Sequence, residues 1–135
     1  MPQIAETPYG YEIAFESTVD RDTARHMLDE LRRTVRPREG GFSVLVDLRA
    51  TRSFTAEAQE LVKQTILICR EAGMGKNAVV THSAIAGLQA RRMVKETGIA
   101  PALRYVDATL HPDWHDRAIA WLVDGVEPGD PGDAD

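Results

Sequence analysis

Along the first part of the chain, apolar and polar positions alternate with a period of two. Tyr11, Ile13 and Phe15 share one side; Glu12, Ala14 and Glu16 share the other. That is the pattern of a strand with one buried face. Ile4–Thr7 reads as a short partner strand, with the turn at 8–10. The period then lengthens. Ala24, Leu28, Leu31 and Val35 form one stripe of an amphipathic helix, with Met27 beside it. Asp20 or Asp22 suits its start, Arg32, Arg33 and Arg36 suit its C-terminal dipole, and Pro37 with Gly40–Gly41 stops it.

Phe42–Leu48 (FSVLVDL) is nearly all apolar, which predicts a strand covered on both faces in the middle of a sheet. Thr55 opens a helix reaching about Ala72, with Ala58, Leu61, Val62, Ile66 and Cys69 as its buried stripe and Gly73 and Gly75 as its end. AVVT at 78–81 is a further buried strand. Ser83 caps a third helix whose apolar set is Ala86, Leu88, Ala90, Met93 and Val94; Gly98 and Pro101 end it. Leu103–Val106 is a last strand, with Arg104 facing out. A final helix begins near Pro112 and carries Trp114, Ala118, Trp121 and Leu122 on one side, closed by Gly125. The order ββαβαβαβα predicts an α/β fold with a mixed, largely parallel sheet built through right-handed crossovers, plus an N-terminal hairpin.

Composition changes this picture at one end. The chain has 135 residues, 43% hydrophobic and 27% charged, which suits a single globular domain. Its formal net charge is −5, but the segment EPGDPGDAD at 127–135 holds four acids and no large apolar residue. Such a segment cannot bury enough surface to order itself, so a domain at 1–126 with a disordered acidic tail is expected. Without the tail, 17 acids face 16 Lys and Arg, a net of −1. No recognised nucleic-acid motif or interleaving of aromatic with basic residues is present, so no nucleic acid is expected as partner. No apolar stretch is long enough for a membrane span, and no signal core opens the chain; a cytoplasmic protein is expected. A lone Cys69 excludes an internal disulfide.

Three stretches, VLVDLRATRSFTAEAQELV at 44–62, KNAVVTHSAIAGLQARRMVKETG at 76–98 and DWHDRAIAWL at 113–122, together resemble the SpoIIAA-like or STAS family. The nearest group within it is the small bacterial STAS/Sec14-like proteins of uncharacterised function. The resemblance implies a SpoIIAA-like sheet and a protein partner. In the anti-sigma factor antagonists of this family, an Asp-Ser pair opens the helix after the Asp-Leu strand, and the Ser is a phosphorylation switch. Aligned from Asp47-Leu48, Phe54 takes the apolar position, Thr55 the Asp position and Ala56 the Ser position. Ala56 has no hydroxyl, so the usual switch is missing; Ser53 or Thr55 is an alternative acceptor, and Thr55 also suits an N-cap.

Ligands in parallel α/β sheets collect outside the carboxyl ends of strands. There the expected loop after Asp47 offers Arg49, Arg52, Ser53 and Thr55, a set suited to an anion or an acidic partner segment, or else to a solvated cap. Trp114 and Trp121 are core, or they line an apolar pocket or a homodimer contact. His111, His115 and Asp116 lie close in sequence, but acids in a first helical turn have the dipole to explain them, and no metal is expected. Gly73-Met-Gly-Lys76 follows a helix instead of a strand, the wrong direction for a phosphate loop. Arg91, Arg92 and Lys95 read as a solvated basic face. Cys69 sits on an apolar stripe, and His26 and His82 have no evident acid and nucleophile, so no enzyme and no cofactor are expected. The resemblance implies a non-enzymatic regulatory or protein-interaction module; its Sec14-like side implies the alternative, a binder of a small apolar or lipid-like ligand.

Overall fold

The structure is a computed structural model that describes residues 3–129. The elements follow the predicted order: β1 (Gln3–Thr7), β2 (Gly10–Val19), α1 (Arg21–Thr34), β3 (Phe42–Phe54), α2 (Ala56–Glu71), β4 (Met74–Thr81), α3 (Ala84–Thr97), a 3₁₀ turn (Ala100–Ala102), β5 (Leu103–Asp107) and α4 (Trp114–Asp124). They build an α/β fold around one five-stranded sheet of order β1-β2-β3-β4-β5. The β1–β2 hairpin is antiparallel and the other pairs are parallel.

That order decides where the helices go. Each parallel strand is laid down beside its predecessor in one direction across the sheet. Right-handed crossovers then place α1, α2 and α3 on a single face. Their buried residues join Tyr11, Ile13, Phe15, Val44, Leu48, Val79 and Leu103 in the larger core. The opposite face receives only α4, whose Ala118, Trp121 and Leu122 cover Leu45, Ala78, Val80 and Val106. The alternating face of β2 that carries Glu12, Ala14 and Glu16 has none of these residues buried.

Gly10 joins hairpin to sheet. Its φ is +154°, and a Cβ there would lie 1.9 Å from the Ser43 carbonyl oxygen, so only glycine fits between β2 and β3.

Several boundaries move from the sequence expectation. β3 runs on past Leu48 to Phe54, so the expected loop Arg49–Ser53 is strand. The cause lies in β2, which continues to Val19 and pairs Glu16 with Ala50, Ser17 with Thr51, Thr18 with Ser53 and Val19 with Phe54. Register shifts at Ala14/Glu16 and Ser17/Thr18, with Ser17 at φ 58°, bend the two strands together. Thr51 is buried there and its hydroxyl donates to the Phe15 carbonyl (2.9 Å). Gly73 does end α2, at φ +110°, but Gly75 belongs to β4, which starts at Met74. Leu88 is not core: the buried stripe of α3 is Ala86, Ala90, Met93, Val94 and Thr97, and position 88 points away from it.

The stretch expected to be tail is attached at its start. Arg104 Nε pairs with Glu127 (2.6 Å), and Arg117 donates to the Pro128 carbonyl. Residues 130–135 lie outside the described residues.

Candidate functional site

The carboxyl ends of β3 and β4 meet the amino ends of α2 and α3, and a polar clasp fixes all four. Thr55 is the N-cap of α2, its hydroxyl accepting from Ala58 N–H (3.2 Å). Ser83 caps α3 by accepting from Ala86 N–H (3.3 Å), and it donates to the Arg52 carbonyl (2.9 Å). Phe54 N–H donates to Gln89 Oε1 (2.7 Å), while Gln89 Nε2 (3.1 Å) and Gln59 Nε2 (3.2 Å) both donate to the Phe54 carbonyl. Arg92 in turn donates to Gln59 Oε1. The strand end is thus held by side chains of both helices, and Phe54 itself is buried edge-to-face on Phe15 (5.8 Å between ring centroids).

This clasp leaves a defined outer edge. Arg52 and Thr55 are exposed and Ser53 is half-buried. Beside them, on the first turns of α3, Ile85 is 61% exposed and Leu88 is 69% exposed. Three residues apart on a helix, these two side chains are neighbours. The edge therefore joins an apolar pair to a guanidinium and the positive end of α2. Arg52, Ser53, Thr55 and the Ser83 cap are the residues that the sequence pattern predicts here; Leu88, expected inside, lies on the surface, and Ile85 and Gln89 carry no signal in that pattern. The one signal available for Leu88 was its offset by two from the Ala86–Ala90 stripe.

Arg49 does not join that edge. Strand alternation turns it to the α4 face, where its Nε and Nη2 donate to Asp47 Oδ1 (3.0 Å) and Oδ2 (2.9 Å). Its guanidinium lies 3.9 Å from the Trp114 ring centroid. The hydrogen-bonded Asp47 carboxylate raises the Arg49 pKa further, and a guanidinium already matched by a carboxylate has less to offer an added anion. Next to this pair lies an open trough of about 380 Å³ bordered by Gln3, Ala14, Glu16, Asp47 and Ala50.

The two tryptophans share the α4 face. Trp121 is buried; its Nε1 donates to the Asn77 carbonyl (2.9 Å), and Arg104 lies 4.1 Å over its ring. Trp114 is half-buried between Arg49 and an edge-to-face His115. Neither borders the apolar cavity that lies across the sheet under α2 and α3. His115 and Asp116 are exposed on α4, and among the described residues no three His, Cys, Asp or Glu side chains stand close enough to hold a metal ion. Of the basic residues on α3, Arg91 stacks on Tyr105 (4.0 Å) and Arg92 serves the clasp. Cys69 is buried, and that burial pushes its thiol up to about 12. Among the described residues no helix is long and apolar enough to cross a membrane.

Comparison with known proteins returned no matching family model, no matching curated protein and no matching solved structure.

Proposed function

We propose that this chain is a cytoplasmic, non-enzymatic regulatory or protein-interaction module of the SpoIIAA-like, STAS type, which docks a protein partner on the edge formed by Arg52, Ser53, Thr55, Ile85 and Leu88. The observation that carries the reading is the exposure of Ile85 and Leu88 on a helix turn tied to the strand end by Ser83 and Gln89. A rigid edge of this kind loses little conformational entropy when covered. Its composition fits a partner segment that sets an apolar side chain against Leu88 and a carboxylate against Arg52. The resemblance supplies the regulatory role, and Ala56 in place of the family's Ser means that docking is not switched by phosphorylation at that position. The high pKa of Cys69 argues against thiol-based catalysis, because the one thiol of the chain is held in its unreactive form.

A photo-crosslinking residue at position 88, with the same residue at 123 as control, tests the proposal. Val123 is exposed on α4, away from the edge. A partner should crosslink from 88 and not from 123. Once purified, it should bind Leu88→Asp and Arg52→Glu at least about tenfold more weakly, the equivalent of about 1.4 kcal/mol. Equal crosslinking at both positions, or unchanged affinity of both variants, would reject the edge.

A further inference from the structure

Protein interiors are packed nearly as densely as organic crystals, so a void in a small core calls for a physical reading. This chain has one between the sheet and the pair α2 and α3, with a volume of about 60 Å³ and an almost wholly apolar wall. Val46, Ile66, Met74, Cys69, Met93 and Leu103 are among its lining residues. Val46 marks the void independently. It lies in the middle of the central strand, under two helices, yet it is only partly buried while Val44 and Leu48 beside it are buried. Ile66 and Met74 show the same incomplete burial.

The polar groups in the wall make no demand on a guest. Thr65 donates to the Leu61 carbonyl (3.1 Å), and Asn77 Nδ2 donates to the Gly75 carbonyl (3.0 Å). Water in such a place would lack the two to four partners it needs, so the void suits an apolar occupant. The roof is also unusual. Where α2 and α3 meet, they are bridged by polar rungs: Arg92 to Gln59, Lys63 to Glu96 (2.8 Å) and Arg70 to the Thr97 carbonyl (2.8 Å). The Lys63–Glu96 rung is an exposed ion pair and holds weakly, whereas the Arg92–Gln59 and Arg70–Thr97 rungs are part-buried.

We infer that the cavity between the sheet, α2 and α3 is a binding site for a short apolar group, either a small uncharged molecule or the end of an aliphatic chain. At about 60 Å³ the cavity is smaller than the roughly 150 Å³ that holds benzene, so it fits a guest of only a few heavy atoms. Phe54 of the clasp is also a lining residue of this cavity, but the guest meets the apolar wall and not the exposed Ile85 and Leu88.

The test uses the full chain with methyl-labelled side chains, followed by nuclear magnetic resonance. The probes are xenon, cyclopropane and hexanoate. Saturable shifts are expected at the methyls of Val46, Ile66, Met93 and Val94. Val79→Ile and Ala90→Val each add bulk to the wall and should weaken binding at least tenfold, while Leu88→Asp should leave it unchanged. If hexanoate moves the same methyls, the occupant is a chain end; if only xenon and cyclopropane do, it is a small uncharged molecule. The inference is overturned if no probe shifts these methyls, if Leu45, Val80 and Val106 on the opposite face shift equally, or if both wall variants bind as the parent does. Two wall variants are used so that misfolding of one does not decide the result.

Discussion

Single side chains carry clear consequences. At Gly10, an added methyl meets the Ser43 carbonyl head on. Gly10→Ala should therefore destabilise the protein by about 3 kcal/mol or more, read as a drop in the urea midpoint. Thr55 holds a free N–H of α2, and Thr55→Ala should cost about 1 kcal/mol by the same measurement, with Thr55→Ser recovering most of it. Asp20 caps α1 by accepting from Thr23 N–H (2.9 Å), and that bond pulls its pKa below the usual carboxylate range. A depressed native pKa contributes stability above the unfolded value and loses it as pH falls through the native one. Asp20→Asn should accordingly flatten the acid limb of a stability profile taken between about pH 5 and pH 2. Cys69 should resist thiol reagents in the native state and react on unfolding, since a pKa of about 12 leaves on the order of a thousandfold less thiolate than an exposed thiol near 8.5.

Among the elements, β3 and α4 matter most. The length of β3 is set by its neighbour: β2 continues to Val19 through two register shifts, and β3 must follow to satisfy its backbone groups. This extension sends Arg49 to one face and Arg52 to the strand end, dividing residues that look like one loop in the sequence. α4 covers the opposite sheet face nearly alone, anchored by the Trp121–Asn77 bond and the Arg104 stack. Trp121→Phe keeps much of the apolar area but leaves the Asn77 carbonyl without its donor, at a cost of about 1–3 kcal/mol in chemical unfolding.

Across the whole molecule, the sheet order concentrates three helices on one face and leaves the other to α4. The chain after α4 completes that cover: Glu127 pairs with Arg104, and Pro128 accepts from Arg117. Truncation after Val126 should release Arg104 from its carboxylate, red-shift the Trp121 fluorescence and lower Tm by a few degrees. The order of elements along the chain, the helix starts at Thr55 and Ser83 and the pairing of both tryptophans on one side were legible in advance, because they depend on periods and caps within one segment. Leu88, Arg49 and the cavity were not. A helix stripe is ambiguous for a residue near its border, and a strand's end is set by its partner.

What the sequence by itself determined is the list of elements, their order, and hence a mixed α/β sheet with right-handed crossovers. Hydrophobic period and capping chemistry are local, and they act before any two elements meet. What only the tertiary structure decided is which side chains share a surface. The Arg52–Leu88 edge, the Arg49–Asp47–Trp114 stack and the void beneath α2 and α3 each join residues from separate elements. Their positions depend on strand register and on how closely helices settle on the sheet, and both are properties of the packed whole.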